Sequence, residues 1–372
     1  MNKKLGYYLC DGQEFESKIH CYLHASKNNS DVQWIFNNSE FDSYNFSHEP
    51  EQSLDELYNR RARELRERYD YLVLSYSGGA DSHNILMSFY RQGLHIDEVI
   101  TNWFFEATSN FVVEDTRIQH AWNQNAEYAL NTRAKLDWIS TYMPRTKITV
   151  WDCTRDVITY YLKAKDPSWV LDAKDTLNPA GHQRFNYFHV KELRKTIDAE
   201  LNVGVVIGTD KPICIIEDGK MYLHFTDKFA NNTPVNNSFL EYTNSTNEFF
   251  YWSPDSRDII AKQCHTILRF LNANPGYRAV WNNQEWFFRD TKERILRTII
   301  YTTWEKDWFQ VSKPTKDWDC EFDSWFFNGP QFRKAKENWD RGLNYLLDNI
   351  DGLGRGFAPM YTPKYYIGDI NN

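Results

Sequence analysis

The stretch YLVLSYSGGADS, Tyr71–Ser82, decides the fold of this chain. Its apolar part, Tyr71–Leu74, has the length of a strand, and Ile85, Leu86 and Phe89 follow at helical spacing. The pattern therefore predicts a strand, a glycine turn and the start of a helix. At such a junction, backbone N–H groups and the positive end of the helix dipole converge on one small space that suits a polyphosphate.

The side chains of the turn support the same prediction. Gly78 and Gly79 have no Cβ, so the chain can take positive φ there and come close to a ligand. Ser77 and Ser82 add hydroxyl donors, and Asp81 can cap the helix or hold a cation. The alternative is an ordinary strand-to-helix turn with an Asp or Ser cap.

The segment Ser77–Ser82 resembles the SGGxDS signature of the PP-loop (N-type) ATP pyrophosphatases, a family also called adenine nucleotide alpha-hydrolase-like. Asparagine synthetase, NAD synthetase and PAPS reductase are relatives in that family. The loop is not a Walker A motif, because no Gly-Lys-Ser/Thr follows its glycines. The resemblance covers about residues 70–212, and the Asn- and aromatic-rich texture of the chain resembles phage-encoded members.

The resemblance implies a chemistry and a set of site residues. ATP and Mg²⁺ would bind, and ATP would be cut between its α- and β-phosphates to adenylylate an acceptor. Asp81, Ser82 and Lys211 are the candidate catalytic residues, with Asp81 also near the metal. The candidate nucleotide-binding residues are Ser75, Tyr76, Ser77, Gly78, Gly79, Ala80, Asn102, Trp103, Gly208 and Thr209. Among them, backbone groups near Ser75 and at Asn102–Trp103 are expected to contact adenine.

A second segment, Ile207–Pro212, closes a later predicted strand. Its Gly-Thr turn presents backbone N–H groups and a hydroxyl, and Lys211 supplies a point charge for a leaving pyrophosphate. Several PP-loop ligases are similar here. The alternative is a turn capped by Thr209 with Lys211 in solvent.

Other polar residues near the predicted strand ends have two interpretations each. Asp152 and Arg155 lie where a substrate contact is expected, but Asp152 also suits a helix cap. For Asp115, at the start of the helix predicted after the second strand, the sequence favours a helix cap over a metal ligand. The polar and aromatic segment Gly181–His189 is a candidate substrate or ribose loop.

The sequence as a whole predicts an α/β protein whose parallel sheet carries helices on both faces, as in HUP-like PP-loop folds. Strands are predicted at 71–75, 98–103, 147–151 and 203–208, a helix at 50–69 with Ser53 as its N-cap, and further helices at roughly 114–134 and within 155–165 and 188–201. Turns are predicted at Asp11-Gly12 and at Asp218-Gly219, the second within a hairpin of residues 213–217 and 221–225. The predicted units are a β-rich unit at 1–48, an ATP-binding α/β domain at 49–228, a helical aromatic-rich domain at 229–350 and an irregular tail at 351–372. Residues 230–247 read as a loop or linker.

Bulk properties exclude several classes. The 372 residues carry a formal net charge of −8, which argues against wrapping nucleic acid but leaves a base or nucleotide substrate open. No run of eighteen apolar residues occurs, so membrane spanning is disfavoured and a cytoplasmic location is expected, in the host if the gene is phage-borne. The six cysteines form no CxxC pair, which disfavours zinc, iron–sulfur and disulfide frameworks. A homodimer stays open.

Departures from individual relatives leave the acceptor unidentified. Asn2 stands where a class II glutaminase would have a catalytic cysteine, and the terminal cysteine motif of PAPS reductases is missing. Three functions remain: an adenylylating ligase or transferase, a PAPS reductase-like oxidoreductase, and a nucleotide-binding interaction protein without turnover.

Overall fold

The structure is a computed structural model. It describes residues 5–103, 105–108, 128–152, 154–155, 162, 200–227, 244–283, 286–303, 328–353 and 358–370. Within these residues the strands are β1 Tyr7–Cys10, β2 Gln13–Phe15, β3 Gln33–Ile35, β4 Tyr71–Ser75, β5 Glu98–Trp103, β6 Lys147–Asp152, β7 Val203–Ile207, β8 Ile213–Glu217, β9 Lys220–His224, β10 Ser245–Phe249 and β11 Tyr365–Asp369. The α-helices are α1 Lys18–Asn28, α2 Asn38–Asp42, α3 Leu54–Arg68, α4 Ala80–Tyr90, α5 Phe105–Thr108, α6 Arg133–Tyr142, α7 Arg257–Ala273, α8 Arg278–Trp281, α9 Trp286–Ile300 and α10 Arg333–Asn349.

The central element is a five-stranded sheet with the order β10-β7-β4-β5-β6, in which all neighbours are parallel. In chain order, β4, β5 and β6 run from the centre of the sheet to one edge. The chain then returns, and β7 pairs with the other side of β4. This is the 3-2-1-4-5 order of doubly wound sheets, whose ligands bind beyond the carboxyl ends of the strands where the order reverses. The predicted α/β class is confirmed, and the reversal lies between β4 and β7.

The helices around β4 form where the sequence predicts them. Ser53 and Glu56 make a reciprocal capping box at the start of α3. Helix α4 ends at Tyr90, and Gly93 follows with a φ of +67°. Trp138 of α6 packs edge-on against Tyr90 at a centroid distance of 4.8 Å. The predicted helices at 155–165 and 188–201, and most of the one at 114–134, fall outside the described residues, so the cover of the second sheet face stays a prediction.

The predicted linker at 230–247 is wrong at its end, because Ser245–Phe249 forms β10, an outer strand of the parallel sheet. Polar residues conceal this strand in the sequence. Glu248 is nevertheless buried, with Arg61 at 3.0 Å and Arg68 at 2.8 Å from its carboxylate. The domain boundary predicted at residue 229 remains a prediction, but the strand after it belongs to the same sheet as β7.

The predicted irregular tail also contains a strand. β11 pairs antiparallel with β9, which forms the predicted hairpin with β8 across Asp218 and Gly219. Gly352, Gly354 and Gly356 dominate the tail's composition, whereas the alternating buried residues Tyr365 and Ile367 mark the strand.

The N-terminal unit contains an antiparallel sheet of order β2-β1-β3 with α1 beside it. Its aromatic residues join the main core: Phe36 lies 5.1 Å from Phe225 between ring centroids, and Phe41 stacks on Phe225 at 4.5 Å. The buried Lys18 ammonium pairs with the buried Asp227 carboxylate. The unit therefore packs against the rest of the chain, as its apolar residues indicate. No helix in the described part of the chain is long and apolar enough to cross a membrane.

Candidate functional site

The candidate site lies where β4 and β7 end side by side. Gly208 follows β7 directly, and a Cβ built on it would lie 3.3 Å from the backbone nitrogen of Ser82 and 3.4 Å from the carbonyl carbon of Asp81. The contact thus joins the segments Ser77–Ser82 and Ile207–Pro212 at the point where the strand order reverses. A side chain at position 208 would fill the space in front of α4.

The start of α4 has no side-chain cap. Gly79 is the N-cap residue, with extended backbone and no hydroxyl or carboxylate to offer. The first backbone hydrogen bond into the helix runs from the N–H of His83 to the carbonyl of Gly79 at 3.0 Å. The N–H groups of Ala80, Asp81 and Ser82 therefore have no intrahelical partner, and the helix dipole is positive there.

Of the two loop glycines, only Gly78 takes positive φ, at +72°. A Cβ on Gly78 would lie 2.8 Å from Oγ1 of Thr132 and 2.9 Å from its Cα. Lys135 donates from Nζ to the carbonyl of Gly78 at 2.6 Å, and the Thr132 hydroxyl donates to the carbonyl of Ser77 at 3.0 Å. Packing alone therefore requires a glycine at 78, and the sequence reasoning missed both residues that hold the loop.

The two serine hydroxyls face one another. Oγ of Ser77 and Oγ of Ser82 are 3.5 Å apart, and the N–H of Gly79 donates to Ser77 at 3.3 Å. The Ser82 hydroxyl donates to the carbonyl of Gly79 at 3.3 Å. Ser82 is buried and Ser77 is partly exposed, and these long bonds are weak enough for both hydroxyls to exchange partners for phosphate oxygens.

Lys211 is buried beside Asp81, with 8% of its side chain exposed, so the alternative of a solvated Lys211 is wrong. Its Nζ lies 2.7 Å from Oδ1 of Asp81 and 3.3 Å from Glu293. Thr209 is buried too, and among the described residues its hydroxyl has no hydrogen-bond partner. The loop after β7 thus places a cation beside Asp81 in the first turn of α4, and it carries a buried hydroxyl that has no partner among the described residues.

The charges of this cluster shift one another's pKa values. Burial alone would raise the pKa of Asp81, but Lys211, the Tyr301 hydroxyl and the charge of Arg297 together lower it to about 2. Burial raises the pKa of Asp210 to about 6 against the pull of Lys211, with the charges of Asp81 and Glu293 adding to the rise. Burial would lower the pKa of Lys211, but the surrounding carboxylates raise it above its ordinary value. Near neutral pH, Lys211 and Asp81 are both charged.

Two tyrosines from the later part of the chain cover Asp81. The Tyr301 hydroxyl donates to the Asp81 carboxylate, and the Tyr251 hydroxyl donates to its backbone carbonyl at 2.9 Å. Asn84 of α4 donates in turn to Tyr251 at 3.0 Å. Tyr251 follows β10 by two residues, so recognition of that strand would have placed it at the carboxyl edge of the sheet. No sequence signal points to Tyr301.

Most side chains in the segments predicted to contact adenine pack in the core. Ser75 ends β4 in register with Ile100, and the N–H of Tyr76 donates to the Ile100 carbonyl at 2.8 Å. The Tyr76 hydroxyl contacts Nδ1 of His83 at 2.9 Å. Burial lowers the pKa of His83 to about 3, which keeps this ring neutral.

On the neighbouring strand, Trp103 is buried and its indole donates to Thr101 at 2.9 Å. Asn102 precedes it in β5, opposite Trp151 of β6. The side chains of Tyr76 and Trp103 therefore build the core, and any contact of these segments with a base would use backbone groups.

At the end of β6, Asp152 acts as a cap. Its carboxylate accepts from the N–H of Glu106 at 3.1 Å and from the N–H of Thr154 at 3.0 Å. Arg155 pairs with Glu106. The cap interpretation of Asp152 is thus supported, whereas Asp115 and Gly181–His189 lie outside the described residues.

The arrangement has the donors and acceptors of a polyanion site. Uncapped N–H groups, two hydroxyls and a buried ammonium offer hydrogen bonds and positive charge to phosphate oxygens. The carboxylates of Asp81, Asp210 and Glu293 surround Lys211, and carboxylate oxygens are the ligands that Mg²⁺ prefers. No family model, curated protein or solved structure matches this chain. The geometry of this site and the PP-loop resemblance are therefore the basis of the function proposed below.

Proposed function

We propose that this chain is an ATP-binding enzyme of the PP-loop type with a HUP-like fold. It would cleave ATP between the α- and β-phosphates, adenylylate an acceptor and release pyrophosphate. The observation that carries the proposal is the contact of Gly208 with the uncapped start of α4, 3.3 Å from the Ser82 nitrogen as measured from a Cβ built on the glycine. Only a residue without a side chain leaves room there for a ligand to reach those N–H groups.

The roles divide along the loop and the strand that faces it. The N–H groups at the start of α4 and the hydroxyls of Ser77 and Ser82 would hold the β- and γ-phosphates. The buried Thr209 hydroxyl, which has no partner among the described residues, would donate to a phosphate oxygen. Lys211 would neutralise charge that develops on the departing pyrophosphate.

In the proposed step an acceptor oxygen attacks the α-phosphorus and forms a new phosphorus–oxygen bond. The bond between the α-phosphorus and the bridging oxygen breaks, and pyrophosphate leaves with that electron pair. The residues of the site do no covalent chemistry, so their contribution is positioning and charge stabilisation. The acceptor class is a small metabolite, a nucleotide or a nucleic-acid base.

Magnesium fits the donor set of the same site. Asp81 is ionised near neutral pH, since its pKa is lowered to about 2, and its Oδ1 is shared with Lys211. Asp81 would hold the ion, with Asp210 and Glu293 as further oxygen donors. When bound, Mg²⁺ supplies Lewis-acid stabilisation of phosphate charge. The Asp81 carboxylate would then bind the ion and also hold Lys211 in place.

Binding and turnover of ATP test the proposal together. Purified protein is titrated with ATP and Mg²⁺ by calorimetry, and the products are followed by ³¹P NMR with pools of candidate acceptors. We expect saturable binding, and pyrophosphate plus an adenylylated acceptor when the acceptor is present; AMP should appear once an amine or sulfur donor displaces it from the acceptor. Ser82→Ala should weaken ATP binding at least tenfold, whereas Ser88→Ala, on the same helix but six residues away from the loop, should not.

Each other outcome selects another function. ATP bound at this site without AMP or pyrophosphate, over all acceptors, would indicate a nucleotide-binding protein without turnover. Sulfite released from PAPS in the presence of thioredoxin would indicate the reductase-like alternative. Equal ATP affinity of Ser82→Ala and Ser88→Ala would contradict the site itself.

A further inference from the structure

A second cluster of ligand-type side chains lies in the N-terminal unit. Cys10 ends β1, Asp11 occupies the tight turn before β2 with a φ of 50°, and His24 projects from α1. The sulfur, a carboxylate oxygen and a ring nitrogen of these three residues all lie within 4.8 Å of one another. The fold thus joins residues that are fourteen positions apart, which no CxxC count of the sequence would reveal.

We propose that Cys10, Asp11 and His24 bind a divalent transition-metal ion of the zinc class. A tetrahedral zinc site uses ligands at about 2.0–2.3 Å from the ion, so its ligand atoms lie somewhat closer together than the atoms of this group. Small side-chain rotations bring the three atoms to that spacing. The turn and the helix would then be joined through the metal.

The ligand types select the metal. A thiolate and an imidazole are ligands for zinc and related ions, whereas Mg²⁺ and Ca²⁺ take oxygen ligands. A second thiol is close at hand, because Cys21 precedes His24 by one helical turn and its sulfur shares a hydrogen bond with Cys10. This site therefore differs in chemistry from the carboxylates around Lys211.

The ring nitrogen of His24 and the side-chain amide of Asn28 meet at one carboxylate oxygen of Asp11. Nε2 of His24 lies 3.1 Å from Oδ2 of Asp11 and 2.9 Å from Nδ2 of Asn28, and Nδ2 lies 3.2 Å from the same oxygen. A ring nitrogen of neutral histidine either donates or accepts. If Nε2 accepts from Asn28, its lone pair faces the carboxylate; if it donates, Oδ2 of Asp11 accepts from both His24 and Asn28.

Turning over the Asn28 amide is unfavourable. The amide oxygen would then lie 3.2 Å from the carboxylate oxygen of Asp11, and two acceptors would face each other. A cation between Nε2 and Oδ2 accepts lone pairs from both atoms and leaves Asn28 free to donate to the carboxylate. The geometry around His24 thus points to a ligand that takes electron pairs.

The site is open to solvent on one side. The side chain of Asp11 is 41% exposed and that of His24 is 28% exposed, while Cys10 closes the inner side. An ion can therefore enter without unfolding of the unit. Substitutions at the two exposed ligands also spare the core.

Cobalt binding tests the inference on the full chain. Protein stripped with a chelator is titrated with Co²⁺ alone and followed by absorbance, because a thiolate ligand gives a charge-transfer band. We expect one equivalent to bind, the band to appear and Zn²⁺ to displace the cobalt. His24→Gln should weaken binding at least tenfold, while His20→Gln, an exposed histidine on the same helix, should leave it unchanged.

Two further variants complete the test. Cys10→Ser should abolish the charge-transfer band, and Asp11→Asn should weaken binding even if the buried serine perturbs the fold. No saturable Co²⁺ binding, a complex without the thiolate band, or equal affinity of His24→Gln and His20→Gln would each overturn the inference. Asp81→Asn should keep the band, so the result is independent of the ATP site.

Discussion

Nζ of Lys211 lies 2.7 Å from Oδ1 of Asp81. This ion pair joins the loop after β7 to the first turn of α4, and both segments come from the sequence motifs that suggest ATP chemistry. Glu293 and Asp210 lie farther from the same ammonium, at 3.3 Å and 3.9 Å. Lys211 therefore supplies positive charge to three carboxylates at the carboxyl edge of the sheet.

Lys211→Met should destabilise the protein by about 2–4 kcal/mol, because it leaves the carboxylates without their buried cation. Urea unfolding at pH 7 measures this loss. The double variant Lys211→Met with Asp81→Asn should lose less than the sum of the two single losses, since the pair is coupled. Lys220→Met, an exposed lysine, is the control; an equal loss there would contradict the importance of the pair.

Asp210 should make stability depend on pH. Its pKa rises from 3.8 to about 6 on folding, so its ionised form is disfavoured in the folded protein. The stability it contributes is present below pH 4 and is lost as the pH rises towards 6. Asp210→Asn cannot ionise, and its unfolding free energy relative to wild type should rise by roughly 2–3 kcal/mol between pH 4 and pH 7. A flat difference across that range would exclude the shift.

Gly78→Ala should destabilise the protein, because Thr132 packs closely against this glycine. The new Cβ would lie 2.8 Å from the Thr132 hydroxyl, and φ is positive there. Gly93 also has positive φ, but a Cβ there meets nothing within 4 Å. Thermal unfolding should show Gly78→Ala less stable than Gly93→Ala by about 1–3 kcal/mol. Equal stabilities would mean that Thr132 does not confine the loop.

The buried pair of Lys18 and Asp227 should anchor the N-terminal unit. Asp227→Asn leaves a buried ammonium without its counter-charge and should cost about 3–5 kcal/mol in urea unfolding. The matched control is Lys364→Met, which removes an exposed pair with Glu217 and should cost less than about 1 kcal/mol. If both variants lose the same stability, the N-terminal unit is not held by this pair.

Local patterns in the sequence predicted much of the fold. The four strands with apolar runs, the N-cap at Ser53 and the Asp-Gly turns all form where short-range chemistry favours them. β10 was missed because Glu248 is polar, and the distant Arg61, Arg68 and Tyr69 make its burial favourable. Such long-range compensation has no local signature.

The same distinction applies to the candidate site. The glycines, serines and Asp81 stand in one motif, and their placement after a strand locates the loop. Tyr301 and Glu293, by contrast, reach Asp81 and Lys211 from α9 and the residue that follows it, more than eighty positions beyond Lys211 in the sequence. Side chains brought in by tertiary packing cannot be inferred from spacing. The cluster of Cys10, Asp11 and His24 is hidden for the same reason.

The most direct test of the central claim is a crystal structure with α,β-methylene-ATP and Mg²⁺. We predict the triphosphate at the start of α4, within hydrogen-bond distance of Ser77, Ser82 and the N–H groups between Gly79 and Ser82, with Lys211 beside it. Nucleotide bound elsewhere, with the Asp81–Lys211 pair and the space before Gly208 unchanged, would contradict the claim.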